Sequence, residues 1–377
     1  MSKVNLVFFE DKFGIGGIET FITNACKGLD REFYNISIVV VNKLTDRLDS
    51  FFEQLGIKVH VLVKDELPNP IERFKKGLPA FSHYLDSNKC DIIHFNLSDS
   101  IDLSYVVLAK YKNVPIRICH SHNSNVNMKW KRIAHRLCKP LFGNAPNYFL
   151  ACSDVAAEWL FPKKIFANKK YEIIRNGIDI SSFSFNTEIR KSIREKENWD
   201  NRFIIGNVGR FNIQKNHQFI VDIFYAFLRQ HEEGLLVLVG EGELEKEIRD
   251  KVESLGISDK VIFWGKSNNV PLLLQGFDVM LMPSLYEGLP YVLIEAQACS
   301  LPCVISDTIS SEAVLSSRVR AKSLKDSVDS WVDDIYKLGE KEREDSSAVV
   351  RSAGFDIGSM VKQLDRFYRS SMEQMNV

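Results

Sequence analysis

Ser284-Leu-Tyr-Glu-Gly-Leu-Pro-Tyr-Val-Leu-Ile-Glu-Ala-Gln-Ala-Cys299 is the stretch on which both fold and function turn. The apolar run Val279-Met-Leu-Met-Pro283 leads into it and predicts a buried strand. Gly288 and Pro290 mark a tight turn, and Tyr291 to Cys299 predicts a helix with proline near its first position. Strand, glycine turn and helix start leave backbone N–H groups and a positive helix end free for a phosphate. Glu287 lies before the turn and Glu295 inside the helix. A carboxylate on each side of an anion-binding turn suits a polyhydroxylated molecule carrying that anion.

Composition places this element in an ordinary soluble setting. The chain has 377 residues, 45% hydrophobic and 26% charged, with 49 basic against 49 acidic residues. Two or three domains are expected at this length. Zero net charge gives no global attraction to nucleic acid. Seven cysteines are scattered and odd in number, which argues for reduced thiols and a cytoplasmic protein. No His or second Cys pair lies beside Cys299 and Cys303, so zinc is not expected. The start, Met1-Ser-Lys-Val-Asn-Leu-Val-Phe-Phe-Glu10, is too short for a signal peptide, and no apolar run approaches ~20 residues.

Upstream, apolar strands alternate with helical patterns. Val4 to Phe9, Asn35 to Val41, Val59 to Val63, Asp91 to Phe95, Pro115 to Cys119, Tyr148 to Ala151 and Tyr171 to Ile174 read as strands. The signal lapses over Ser181 to Asp200, read as an interdomain crossing, and restarts with strands at Phe203 to Val208, Leu235 to Val239, Val261 to Trp264 and Pro302 to Ser306. Helices are expected at Ser327 to Tyr336, Lys341 to Arg351 and Ile357 to Met375. Near-continuous apolar strands between helices mean parallel sheets covered on both faces. The expected fold is α/β, two doubly wound Rossmann-like domains facing across a cleft. The boundaries are 1–180, 181–356 and a terminal helix at 357–377 that could cross back to the first domain.

Two further turns offer anion-binding chemistry. Phe13-Gly-Ile-Gly-Gly-Ile-Glu-Thr20 follows the first strand; its bland reading is a positive φ at Gly16 or Gly17. Gly209-Arg-Phe-Asn-Ile-Gln-Lys-Asn-His217 follows the first strand of the second domain. Gly209 permits a sharp exit, and Arg210 and Lys215 beside a helix start suit a diphosphate, by fork and by point charge. Alone, that loop would read as a solvated basic turn.

Together these features resemble the retaining glycosyltransferases of the GT-B fold, family 4. The resemblance rests on Gly209-Arg210 with Lys215, the Glu287-to-Glu295 element, Asn176-Gly-Ile-Asp179 and the N-terminal glycine loop. His120-Ser-His-Asn123, Gln214-Lys-Asn-His217 and Ser306-Asp-Thr-Ile309 look most like the bacterial capsular or exopolysaccharide members. The resemblance implies transfer of a hexose or N-acetylhexosamine from a UDP-sugar, with retention, to a saccharide acceptor, polyprenyl-diphosphate-linked in one version. It implies that Arg210 and Lys215 hold the diphosphate, Glu295 the ribose hydroxyls and Glu287 the donor sugar. Backbone at Gly288 and Leu289 would meet sugar or phosphate oxygens, and Gly16 and Gly17 would let the first domain's backbone approach the donor. A histidine after the Pro115 to Cys119 strand would face the sugar; His120 and His122 fall on one side of an extended chain, and His122 is preferred. Many members carry a glycine pair where Ser306 to Glu312 lacks one, which leaves Glu312 without a transferred role. No Asp-x-Asp pair occurs, so no metal is expected under the diphosphate.

Residues 127–142 carry five Lys or Arg and no acid, with Met128, Trp130, Ile133, Ala134, Leu137 and Leu141 near helical spacing. This pattern fits an interfacial helix at the inner face of an anionic membrane; the plainer reading is a domain helix with a solvated basic face. Two other functions fit a fold of this kind: a nucleotide-sugar epimerase, and a non-catalytic nucleotide-sugar-binding partner of another transferase.

Overall fold

The computed structural model describes residues 3–375 except 15, 66, 68–69, 124–128, 268 and 288. Packing divides the chain into two units, Met1–Gly177 with Ile357–Val377, and Ile178–Asp356.

The first unit is a seven-stranded parallel sheet. Its strands are β1 (Val4–Phe13), β2 (Tyr34–Lys43), β3 (Lys58–Val61), β4 (Ile92–Leu97), β5 (Ile116–Ser121), β6 (Tyr148–Ala151) and β7 (Glu172–Ile173), in the order β3-β2-β1-β4-β5-β6-β7. Register places Leu6 beside both Ile36 and Ile92. Every residue of β4 is buried, as a strand covered on both faces requires. On one face Phe8 and Ile118 pack with Phe21 and Ile22 of the helix Gly17–Gly28. Met360, Leu364 and Tyr368 of the last helix, Ile357–Met375, complete that layer. On the other face Phe9 and Phe95 meet Phe81, Leu103 and Leu160.

The second unit is a six-stranded parallel sheet of β8 (Phe203–Val208), β9 (Gly234–Val239), β10 (Val261–Gly265), β11 (Val279–Met282), β12 (Cys303–Ser306) and β13 (Val319–Lys322), in the order β10-β9-β8-β11-β12-β13. Both faces are again apolar, with Met280, Ile294 and Cys303 in one layer and Ile205, Phe224, Leu281 and Trp331 in the other.

The strand orders carry the functional consequence. Each sheet reverses its winding once, between β1 and β4 in the first unit and between β8 and β11 in the second. The loops leaving such strands at their carboxyl ends diverge and leave a crevice for a ligand. Here they are the glycine loop after β1, the Gly209 loop after β8 and the Glu287 turn after β11.

Some expectations need correction. The polar segment 181–200 is folded within the second unit, with helices at Ile180–Phe183 and Thr187–Lys196. Its sparse apolar residues, Ile193 and Trp199, are buried in the core. Arg190 and Arg194 both bind Asp278, whose carboxylate also accepts from the Ile204 amide at 2.7 Å. The segment reads as polar because its anchors are guanidinium groups. The helix expected over 341–351 is confined to Ser347–Ser352. The edge strand β13 escaped notice because its sequence, Val-Arg-Ala-Lys, lacks an apolar run.

The last helix supplies core to a unit that the chain otherwise left at residue 177. Leu364 is fully buried there, so Leu364→Ala should destabilise the first unit by ~2–5 kcal/mol. Urea unfolding followed by hydrogen exchange in β4 and β5 reads this directly. Unchanged protection in those strands would contradict the packing.

Candidate active site

In the second unit the two loops of the switch point are laced together. After β8, the Gly209 amide donates to Val239 O at 2.9 Å, and Asn212 caps the short turn Ile213–Lys215 by accepting from the Lys215 amide at 3.1 Å. Asn216 then takes a left-handed conformation, φ 57°, and starts the helix His217–Leu228. Its side chain donates to Pro283 O at 3.0 Å. Gln214 O accepts from the Leu285 amide at 2.8 Å, and Gln214 Nε2 donates to Tyr286 O and to Glu287 Oε2, at 3.1 and 3.0 Å.

At the centre of this lacing, Lys215 Nζ lies 2.6 Å from Glu287 Oε1, with side chains 15% and 10% exposed. Ser284 Oγ donates to the same Glu287 oxygen at 3.3 Å. Both carboxylate oxygens are therefore engaged. Gly209 is the position that admits the lysine: a Cβ there would meet Lys215 Cε at 3.0 Å and Cδ at 3.1 Å. Arg210 stands apart from the pair. Its guanidinium is 71% exposed and binds Glu243 at 3.1 Å, on the loop after β9.

The helix Tyr291–Ala298 begins at Pro290, and no side chain caps it. Its first turn thus keeps donors and positive potential for an anion. Leu289 precedes it, half-buried against the core. Glu295 points from its second turn, half-buried, and no described residue hydrogen-bonds or ion-pairs its carboxylate. Burial pushes that carboxyl up to about 7. Gly288 lies outside the described residues.

Side chains that the sequence reading left without roles support this turn. Ser306 Oγ and Thr308 Oγ1 both donate to Ser284 O, at 2.6 and 2.7 Å. Glu287 forms a parallel bridge with Ile309. A run of small hydroxyl residues directly after a buried strand was the available signal. His217 of the quoted Gln214-to-His217 motif is a packing residue, stacked on Phe211 at 4.2 Å and held neutral, its pKa lowered by burial to about 4.

In the first unit, Gly16 caps the helix Gly17–Gly28 in extended backbone, φ −171°, and neither Gly16 nor Gly17 has positive φ. The demand for a small residue comes from Glu19. Its carboxylate turns back over the loop to accept from the Gly14 amide at 2.5 Å, and a Cβ on Gly16 would lie 3.0 Å from it. Glu10, on β1, is buried nearby, and burial with the adjacent Glu19 charge holds its carboxyl well above the usual range.

The candidate histidines belong to a buried run. His94 Nδ1 lies 2.6 Å from Tyr368 Oη, and His94 Nε2 lies 3.0 Å from His120 Nδ1. His120 is fully buried on β5, and its ring lies 3.9 Å from that of His122. His122, just past the strand, is the one of the two with partial exposure. Asn96 Nδ2 faces the carbonyls of Phe9 and His94, which turns Asn96 Oδ1 toward His122 Nε2 at 2.9 Å. Nε2 therefore donates, and Nδ1 is left as a buried acceptor without a partner among the described residues. Burial lowers the His122 pKa to about 3, so the ring is neutral.

Comparison with known proteins agrees with this layout. Residues 15–182 match the model of Glycosyltransferase Family 4, and residues 189–353 that of Glycosyl transferases group 1. The chain is 27% identical over 368 residues to the putative glycosyltransferase EpsF of Bacillus subtilis, covering 95% of this chain and 94% of that protein. It is 23% identical to the UDP-Gal:alpha-D-GlcNAc-diphosphoundecaprenol alpha-1,3-galactosyltransferase of Escherichia coli, over 81% and 80% of the two chains. Among solved structures, Anabaena Alr3699/HepE in complex with UDP and glucose superposes with a TM-score of 0.77 at 17% identity, covering 97% of this chain and 100% of that one. The matches favour the transferase reading over the epimerase and non-catalytic ones. With two parallel-sheet units and a matched transferase domain in each half, the chain is a GT-B glycosyltransferase, family 4 in its first half and group 1 in its second.

Proposed function

We propose that this enzyme moves a hexose or N-acetylhexosamine from a UDP-sugar to a lipid-linked saccharide during assembly of a bacterial surface polysaccharide, with retention of configuration. One observation carries the donor half: an ammonium, an uncapped helix start and an unpartnered carboxylate all sit on elements leaving the switch-point strands β8 and β11. Lys215 and the helix start meet the diphosphate. Arg210, exposed on a flexible stem, exchanges Glu243 for a phosphate oxygen. Glu295 accepts from the ribose hydroxyls, neutral donors that suit a half-buried carboxylate with no partner among the described residues. Glu287 fixes the Lys215 ammonium and presents what remains of its acceptor capacity to the sugar. In the first unit, Gly16 and Gly17 keep the rim of the loop free of side chains, and His122, the partly exposed histidine, faces the sugar.

Departure of the nucleoside diphosphate builds negative charge on the leaving oxygen as the sugar becomes oxocarbenium-like. A fixed ammonium in a poorly solvated position stabilises that charge without reorganising.

The acceptor half rests on the helix Lys129–Phe142. It packs inward through His135 and Phe142, while Trp130, Ile133, Leu137 and Leu141 face outward, at 47, 62, 61 and 71% exposed. Lys131, Arg132 and Arg136 lie on the same helix. An exposed apolar stripe with basic flanks fits the headgroup boundary of an anionic bilayer. No helix among the described residues is long and apolar enough to cross a membrane. The enzyme then works in the cytoplasm, at the inner face of the cell membrane.

Lys215→Ala should raise the barrier by roughly 2 to 4 kcal/mol, about 30- to 1,000-fold in kcat, measured against a panel of UDP-, GDP- and ADP-sugars. Near wild-type turnover would remove Lys215 from the mechanism, and preference for a non-uridine donor would overturn the UDP assignment.

Glu295→Gln has a signature in pH. As pH rises from the ordinary 4.5 toward about 7, the unfolded chain ionises first, and the folded protein loses stability across that window. The variant should therefore gain up to ~3 kcal/mol over wild type at about pH 8, little at about pH 4, and bind UDP more weakly. A gain that does not vary with pH would contradict the assignment.

Leu137→Glu with Leu141→Glu should abolish sedimentation with phosphatidylglycerol vesicles and leave donor hydrolysis intact. Vesicle binding equal to wild type would reject the membrane contact.

A further inference from the structure

The inner side of the same helix borders an open groove that the transfer chemistry does not use. It has a volume of about 620 Å³, within the ~300–1,000 Å³ of ordinary small-molecule sites. Its floor is rigid. The His135 ring stacks on Trp159 at 3.9 Å and 7°. His135 Nδ1 accepts from the Ser100 amide at 3.1 Å and Nε2 donates to Trp159 O at 2.9 Å, while Trp159 Nε1 donates to Ser98 O at 3.0 Å. Every polar group of the floor is thereby satisfied, and what faces the groove is apolar: Trp159 with Pro140, Val155 and Pro162. Gly143 lets the helix end close on Pro162, since a Cβ there would lie 2.3 Å from Pro162 Cγ.

The rim is cationic. Arg136, Lys139 and Lys163 line it against the single acid Glu158. Lys139 is spent on the carbonyls of Glu158 and Trp159, at 2.6 and 2.9 Å. Arg136 and Lys163 are exposed and have no ion-pair partner among the described residues. The groove thus offers an apolar slot with two free cations at its mouth, on the helix whose outer face carries the stripe Ile133, Leu137 and Leu141.

The geometry points to a lipid-phosphate site: the groove takes the first isoprene units of a polyprenyl-linked acceptor, and Arg136 and Lys163 take its phosphate. This rests on the lipid-linked acceptor proposed above and names where its lipid is held. A single-chain apolar slot under a pair of cations complements that head-and-chain chemistry, and the adjoining stripe gives the chain a continuous apolar path out of the bilayer.

Farnesyl diphosphate is the probe, since it joins one isoprenoid chain to a diphosphate and dissolves in water. Binding to the full chain is measured by equilibrium dialysis with saturating UDP present, so that the nucleotide site is occupied. Saturable binding is expected, with none for inorganic pyrophosphate. Val155→Glu, at an exposed wall position, and Arg136→Glu should each weaken binding about ten-fold or more, with thermal melts confirming that both fold. Wild-type affinity in both variants, or equal affinity for short-chain phosphatidylglycerol, would overturn the isoprenoid site. Wild-type hydrolysis of UDP-sugars, which needs no lipid, is measured alongside. Its absence with farnesyl diphosphate still bound would sink the transfer reading and leave the groove standing.

Discussion

The ion pair of Lys215 and Glu287 joins the two loops at which the second sheet reverses direction, and the local structure of both loops is built around it. Both side chains are mostly buried, so each is costly alone: removing one partner of such a pair typically costs ~3–5 kcal/mol, because the other charge stays behind unpaired. The pair is made affordable by its neighbours. Gln214 and Ser284 satisfy the carboxylate, Ser306 and Thr308 hold the turn that carries Ser284, and Asn216 ties the lysine loop to Pro283. An ammonium held this way is fixed in position by both loops.

Arg210 works on the opposite principle. It is exposed, paired with a surface carboxylate on another loop, and such a pair is worth little in water. Breaking the pair with Glu243 therefore costs little. In the proposed donor site, one cation would be preorganised and one recruited, a workable division for a ligand that must bind, react and leave.

Much of this was legible in the chain. The continuous apolar strands announced parallel sheets, and glycine, proline and charge marked the loops after β8 and β11 as candidates for anion binding, although the first of them alone reads as a solvated basic turn. What escaped was contact between distant segments. Nothing near Arg210 shows that Glu243 is its partner, and nothing near Ser284 shows that Ser306 and Thr308 support it. The segment 181–200 looked like a linker because Asp278, which its two arginines clamp, lies far along the sequence. Spacing also left the apolar positions of 129–142 open to either an inward or an outward face. The structure turns them outward because His135 and its bonds to Ser100 and Trp159 take the inner one.

The histidine run shows the same limit and what resolves it. Strand alternation put His120 and His122 on one side and could go no further. Burial separates them: His120 is enclosed between His94, Phe21 and His122, whereas His122 emerges past the end of β5. Three imidazoles packed together share too little water for any of them to take a second ring proton, and a charge on one would repel a charge on the next. Tyr368 closes the far end of the run from the last helix, so the segment that returns to the first unit also fixes its histidines. His122 is consequently a neutral ring with its donor committed to Asn96, and its Nδ1 is a buried acceptor without a partner among the described residues.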